Sequence, residues 1–323
     1  MRPPEGDGYS SALRTVDLKI TDIAFGGKGV ARKNGKAVFI PFTIEGELVS
    51  AKIRREKKQF AEAEVVDLRQ RSPYRVDPPC PYFGRCGGCA YQHIDYAHQL
   101  EIKTRQVRDV LKRIGKLDDV PMRPIIDGHY TLRARSGPRV FSQTNDGVAN
   151  ALRDLIVQLM PSNQELLVDA FCGAGFFAKA LIGKFQRIVG IDWDRFAIAA
   201  AKEDATEKET YIAGDIEEEL VGAVHRTARG RLGSIAPTLN PDKTALLVDP
   251  PAVGLSARLR KTIVDLAPAT LIYVSCNPAT LARDLAELRS RFKIESVTPL
   301  DMFPQTAEIE VVAQLQRSNA STN

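Results

Sequence analysis

The sequence predicts an α/β protein: a doubly wound, mainly parallel sheet preceded by a small OB-like β-barrel. Three observations carry this. Short alternating strands with glycine turns fill residues 15–68, apolar strands alternate with helical stretches from Gly147 onward, and Leu167-Val168-Asp169 runs into the turn Cys172-Gly173-Ala174-Gly175 and a helix. With 323 residues, 44% hydrophobic and 26% charged, the chain is long enough for two domains with real cores. No apolar run approaches the ~20 residues of a membrane span, and the polar, Pro/Gly-rich start does not read as a secretory signal. A cytoplasmic protein with no membrane partner is expected.

The barrel is expected over residues 13–71, with strand segments Val16–Ile20, Gly29–Ala31, Ala37–Pro41, Leu48–Ile53 and Ala61–Leu68. Gly26-Gly27-Lys28-Gly29 supplies a tight turn, and Pro41 closes a strand without needing a donor. Small barrels of this kind bind single-stranded nucleic acid or serve as structural caps. The Pro-rich stretch Ser72–Pro81 breaks regular structure and opens residues 72–140, which hold a linker, a cysteine cluster and one amphipathic helix. That helix is expected over Tyr96–Ile114, with apolar Leu100, Ile102, Val107, Val110 and Leu111, and ends at Gly115.

Net charge is only +5, but it is concentrated. Lys52, Arg54, Arg55, Lys57 and Lys58 form one basic run, and Lys103, Arg105, Arg108, Lys112, Arg113 and Lys116 another. Either run alone reads equally well as a solvated face; together they favour a nucleic-acid partner, because each phosphate contact releases counterions.

Residues 141–317 hold the parallel sheet, with strands at Leu166–Val168, Ile188–Ile191, Thr210–Ile212, Ala245–Val248, Leu271–Val274, Ile294–Val297 and Ile309–Leu315. Gly173 and Gly175 let a ligand approach the backbone and the helix amino end. Asp192, at the end of the second strand, is placed to grip ribose hydroxyls, and Trp193 to lie on an adenine. Gly173-x-Gly175-x-x-Ala178 fits a dinucleotide fingerprint too, so the turn and one acid leave NAD and S-adenosylmethionine open. Asp169, facing a cationic amine, and Asp215, at a third strand end, favour S-adenosylmethionine, whose sulfonium suits carboxylates better than a pyrophosphate does.

The five cysteines divide into a cluster and two singles. Cys80, Cys86 and Cys89 are close enough in sequence to argue for a metal site over disulfides in a reducing compartment. Cys276 closes the apolar run Leu271–Ser275, and its position at a strand end beside the nucleotide pocket suits a nucleophile more than core packing.

Asp249-Pro250-Pro251, Cys276-Asn277-Pro278 and the run Asp301-Met302-Phe303-Pro304-Gln305-Thr306-Ala307-Glu308-Ile309-Glu310 together resemble the RNA uracil-C5 methyltransferase family, which makes 5-methyluridine in ribosomal and transfer RNA. The resemblance covers almost the whole chain. The opening barrel resembles a TRAM domain, Cys80-x5-Cys86-Gly87-Gly88-Cys89-x2-Gln92-His93 resembles the family's iron–sulfur motif, and the remainder resembles its Rossmann-like class I methyltransferase domain. It implies that Cys276 adds to uracil C6, Glu310 removes the C5 proton, Asp249 positions the uracil edge, and Gln143 contacts the cofactor.

This chain departs from the family pattern in three places. Glu308, expected on the same side of a strand as Glu310, stands where the family commonly has His, and Ala252 stands where it usually has Arg. The central insert is reduced to Val120–Arg139, taking with it the fourth cysteine of the cluster. An iron–sulfur cluster (4Fe-4S) on Cys80, Cys86 and Cys89 is therefore weighed against zinc on those residues with His93, and against a metal-free loop. The alternative to an enzyme is an RNA-binding protein that keeps the fold without turnover.

Overall fold

Asn34 and Gly35 turn the chain with φ of 51° and 79°, the left-handed pair that a two-residue hairpin needs. They join β3 (Lys28–Lys33) to β4 (Lys36–Pro41). The computed structural model describes residues 15–128, 146–162, 164–220 and 240–318. It divides into two units, Met1–Ile102 with Gln305–Ala307, and Lys103–Pro304 with Glu308–Asn323.

In the first unit, β1 (Thr15–Lys19), β2 (Asp22–Ile23), β5 (Leu48–Glu56) and β6 (Phe60–Gln70) complete a six-stranded sheet in the order β1-β5-β6-β4-β3-β2. Only the β4–β6 pair is parallel. Register shifts along β5–β6 mark bulges, which bend strands and curl the sheet around Leu18, Ile20, Val38, Ile40 and Val49. Arg54, Arg55, Lys57 and Lys58 of the first basic run are exposed, with Arg54 paired to Glu64. Two-residue β2 has too little length to show a period in the sequence, which is why only five segments were expected there. Beyond β6, Tyr91, Ile94 and Ile102 are buried with Ile23, Ile44 and Ala307. Asp95 caps α1 (Tyr96–Arg113), its Oδ1 accepting the Ala97 and His98 amides at 3.1 and 3.4 Å.

The second unit carries α2 (Asp146–Leu159), β7 (Gln164–Ala170), α3 (Phe176–Leu181), β8 (Phe185–Asp192), α4 (Arg195–Glu203), β9 (Glu209–Ala213), β10 (Thr244–Val248), α5 (Ala257–Leu266), β11 (Thr270–Ser275), α6 (Pro278–Leu288), β12 (Phe292–Leu300) and β13 (Glu310–Arg317). Its sheet runs β12-β13-β11-β10-β7-β8-β9. Strands β7 to β11 pair in parallel and β13 is antiparallel to both neighbours. Every residue of β10 and β11 is buried, the continuous apolar signature of a strand covered on both faces. The chain winds from β7 outward through β8 and β9, then restarts at β10. The strand ends at this reversal of direction, Asp169 and Asp249, lie where doubly wound sheets bind ligands.

One sequence expectation is corrected here. The last strand begins at Glu310, so Glu308 lies before it in an irregular segment and is exposed, whereas Glu310 is buried. The Lys103 amine accounts for this: it donates to the carbonyls of Glu308 and Phe303 at 2.8 and 3.2 Å and to the Asp301 carboxylate at 2.5 Å, holding the β12–β13 connection off the strand path. No helix among the described residues is long and apolar enough to cross a membrane.

Candidate active site

The glycine turn after β7 has left-handed φ at Gly173 (54°) and Gly175 (83°). Space also demands glycine at 175, where an added Cβ would stand 2.7 Å from the Tyr211 hydroxyl. At Gly173 an added Cβ would meet nothing within 4 Å, leaving the backbone open to a ligand. Asp169 is fully buried beneath the turn, with Oδ2 accepting the Ala178 amide at 3.1 Å and Oδ1 without a partner. Burial raises its pKa well above the usual carboxylate range, and Asp249 and Asp192 raise it further.

Asp192, the last residue of β8, accepts the Gly173 amide on one oxygen and the Asp194 amide on the other, both at 2.9 Å. It braces the turn while leaving Trp193 76% exposed beside it. Asp215 is exposed and accepts the Glu218 amide at 3.0 Å, as a helix cap does. Gln143 lies outside the described residues. An orphaned buried carboxylate oxygen, an open glycine turn and mutually repelling acids fit a cationic nucleoside such as S-adenosylmethionine.

The placing of the candidate reacting groups follows from strand register. Parallel β10 and β11 put Asp249 and Cys276 at the same sheet edge, each immediately after its strand. The antiparallel pair Ser275↔Val311 then brings Glu310, one step back along β13, level with Cys276. Asn277 caps α6, its side chain accepting the Ala279 amide at 3.0 Å, with Pro278 in the first turn. Cys276 is thus fixed between a strand end and a helix start, half-buried.

Electrostatics tie the three groups together. Burial pushes the Cys276 thiol above its usual range, and Glu310, Asp249 and Glu308 add to the shift. Burial followed by Asp249 pushes Glu310 up to about 8, and burial pushes Asp249 up to about 7. Among the described residues, burial and neighbouring acids raise all three groups, so each resists ionisation.

Cys80, Cys86 and Cys89 lie in a turn-rich segment of the first unit, Cys86 exposed and the others partly so. Gln92 links two of them, its Oε1 accepting the Cys80 amide and its Nε2 meeting the Cys89 thiol, both at 3.2 Å. His93 is buried between Phe42 and Phe83, and burial pushes its pKa down to about 4. No group of three His, Cys, Asp or Glu among the described residues is placed to hold a metal ion.

A family model described as tRNA (Uracil-5-)-methyltransferase matches residues 95–318, and one described as TRAM domain matches residues 13–66. The chain belongs to the tRNA (uracil-5-)-methyltransferase family. Among curated relatives, an uncharacterized RNA methyltransferase of Protochlamydia amoebophila is 25% identical across 94% of this chain and 98% of its own length. The 23S rRNA (uracil(1939)-C(5))-methyltransferase of Acidithiobacillus ferrooxidans is 26% identical across 90% of this chain and 95% of its own. The Protochlamydia match extends over 436 residues, against 323 in this whole chain, so that relative carries over a hundred internal residues with no counterpart here. A structure of the Pyrococcus abyssi tRNA (uracil-54, C5)-methyltransferase in complex with S-adenosyl-L-homocysteine shares the fold, with a TM-score of 0.66 and 19% identity over 93% of this chain and 100% of its own.

The sequence motifs name candidate reacting groups for this family member but not the residues packed behind them. Lys103 was read as part of a basic surface run, yet it is fully buried against Asp301. Asp284, also fully buried, went unread; the signal available was an acid at a core-facing position of an amphipathic helix.

Proposed function

We propose that the protein methylates C5 of a uridine in ribosomal or transfer RNA through a covalent Cys276 adduct, with S-adenosylmethionine as methyl donor. The observation that carries this is the register that sets Glu310 level with Cys276 at the edge shared with Asp249. Uracil C5 is a weak nucleophile. The Cys276 thiolate adds to C6, and the electron pair moves into the ring to give an enolate whose C5 is nucleophilic. Bound S-adenosylmethionine would supply an electrophilic sulfonium methyl group to C5 and leave as the neutral thioether S-adenosylhomocysteine, and Asp169, Asp192 and Asp215 would hold its amine, ribose and adenine edge. Glu310, as carboxylate, then takes the C5 proton, the C6–S bond breaks, and the pair returns to sulfur. Asp249 orients the uracil edge, and Gln143 completes the cofactor contacts.

The target base in folded RNA has to be flipped into this site, and the curled sheet with its exposed Arg54, Arg55, Lys57 and Lys58 would hold the flanking RNA in the cytoplasm. An iron–sulfur cluster on Cys80, Cys86 and Cys89 rests on motif spacing alone. Metal and sulfide analysis of anaerobically purified protein decides it, and no step above uses it. The internal shortening relative to the relatives favours a second reading, RNA binding without turnover.

Covalent trapping separates the two readings. Protein incubated with S-adenosylmethionine and RNA containing 5-fluorouracil should give an adduct stable in denaturing gels, because fluorine at C5 cannot leave as a proton. Dependence on Cys276 and on cofactor is the expected result. RNA binding with no adduct would overturn the enzyme reading.

A further inference from the structure

The connection from β10 to α5, Asp249-Pro250-Pro251-Ala252-Val253-Gly254-Leu255-Ser256, offers few side chains able to hold its own backbone. Its polar groups must find partners elsewhere. They find them on the helix that starts beside Cys276. Asn277 Nδ2 donates to the Ala252 carbonyl at 3.0 Å, and the Thr280 hydroxyl lies 3.1 Å from the same oxygen. Arg283 Nη2 donates to the carbonyls of Val253 and Leu255, both at 3.1 Å. Asp284 Oδ2 accepts the Leu255 amide at 2.8 Å. Positions 277, 280 and 284 fall on one helical face.

Asp284 is the centre of this arrangement. It is fully buried, and besides Leu255 it accepts the Tyr273 hydroxyl at 2.7 Å, Arg283 Nε at 2.8 Å and Arg260 Nη1 at 3.1 Å. Tyr273 belongs to β11, three residues before Cys276, and Arg260 to α5, which follows the connection. At Gly254 (φ 72°) an added Cβ would stand 2.7 Å from Asp284 Oδ2, so the backbone must approach this carboxylate closely. One buried acid therefore joins the strand that ends at the nucleophile, the helix after it, and the loop that begins with Asp249. A buried ion network contributes little net stability over an apolar replacement, so its service is better sought in fixing one geometry.

We infer that the Asn277, Thr280 and Asp284 face of α6 is a positioning device that holds the Asp249 loop against Cys276. The inference rests on the reading of Cys276 as nucleophile and Asp249 as its neighbour on the uracil. The loop cannot move away from Cys276 without uncoupling hydrogen bonds that meet on Asp284, and loss of its hold displaces Asp249.

The Cys276 thiol reports that displacement without any turnover. The charges facing it are Asp249 on the loop, Glu310 at the start of β13 and Glu308 before it, with the α6 amino end opposing them. Alkylation of Cys276 by iodoacetamide across pH, read on its own peptide by mass spectrometry, gives a midpoint for the intact protein, and Asp249→Asn sets the size of the shift. Thr280→Val and Asp284→Asn should each move the midpoint toward that of Asp249→Asn, while Thr280→Ser keeps the original value and S-adenosylhomocysteine affinity stays within about twofold. Adduct formation with fluorouracil RNA should slow by roughly tenfold or more, as misplacement of reacting groups does.

Should Asp284→Asn fail to fold, Thr280→Val decides alone. Midpoints unchanged in the folded variants would overturn the positioning role. A wild-type protein that forms no RNA adduct, with midpoints that still shift as expected, would remove the methyltransferase reading and leave the positioning intact.

Discussion

Cys276 and the cysteines of the 80–89 segment illustrate two ways of placing a thiol. Cys276 stands where a buried strand hands over to a capped helix, so backbone register and core packing set its position to within a side chain. Cys80, Cys86 and Cys89 stand in an irregular, turn-rich segment with no strand or helix to fix them, and among the described residues they form no group placed to hold a metal ion. Regular structure positions a group that must react; a short-range spacing positions groups only once something gathers them.

Removing the thiol that register has placed should have the largest effect. Cys276→Ala is expected to cut 5-methyluridine formation, measured with labelled cofactor, by on the order of 10⁴-fold. If Cys86→Ala in metal-free protein did the same, the contrast between the two regions would break. Glu310→Gln should lower turnover by roughly 10²–10⁴-fold, and the covalent RNA complex should accumulate with ordinary uridine, because addition and transfer proceed while proton removal does not. Denaturing gels of the unsubstituted substrate check this.

Lys103→Met sharpens the comparison at the level of stability. It removes the buried amine that pairs with the fully buried Asp301 carboxylate and should cost about 3–5 kcal/mol in chemical denaturation. Asp169→Asn should weaken S-adenosylmethionine binding by roughly 10–100-fold in calorimetry, the loss of a hydrogen bond to a charged group.

The smallest effect is on pH dependence. Glu310 ionises at about 8 in the folded protein instead of at 4.5, so the stability linked to it is present below pH 4.5 and lost as pH rises through 8. Glu310→Gln removes that loss and should raise Tm at pH 9 by a few degrees, with no gain at pH 4.

Much of this protein was legible before folding. Period-two alternation located five of the barrel strands, and continuous apolar runs located β10 and β11. These are local properties: burial on one face or two is written in neighbouring residues. The acids near the glycine turn were legible for the same reason: Asp169 and Asp192 lie at the ends of β7 and β8, and Asp215 two residues beyond β9.

What the sequence left open was every relation between distant segments. Nothing local distinguishes Lys103 from its basic neighbours, yet its partner Asp301 lies nearly two hundred positions away and burial makes the pair an anchor. Nothing local makes Glu308 leave the strand that Glu310 starts, or gives Asp284 donors from β11, α5 and the Asp249 loop. Those outcomes depend on which faces meet when the sheet is wound, and a buried charge acquires a role only from the donors that surround it there.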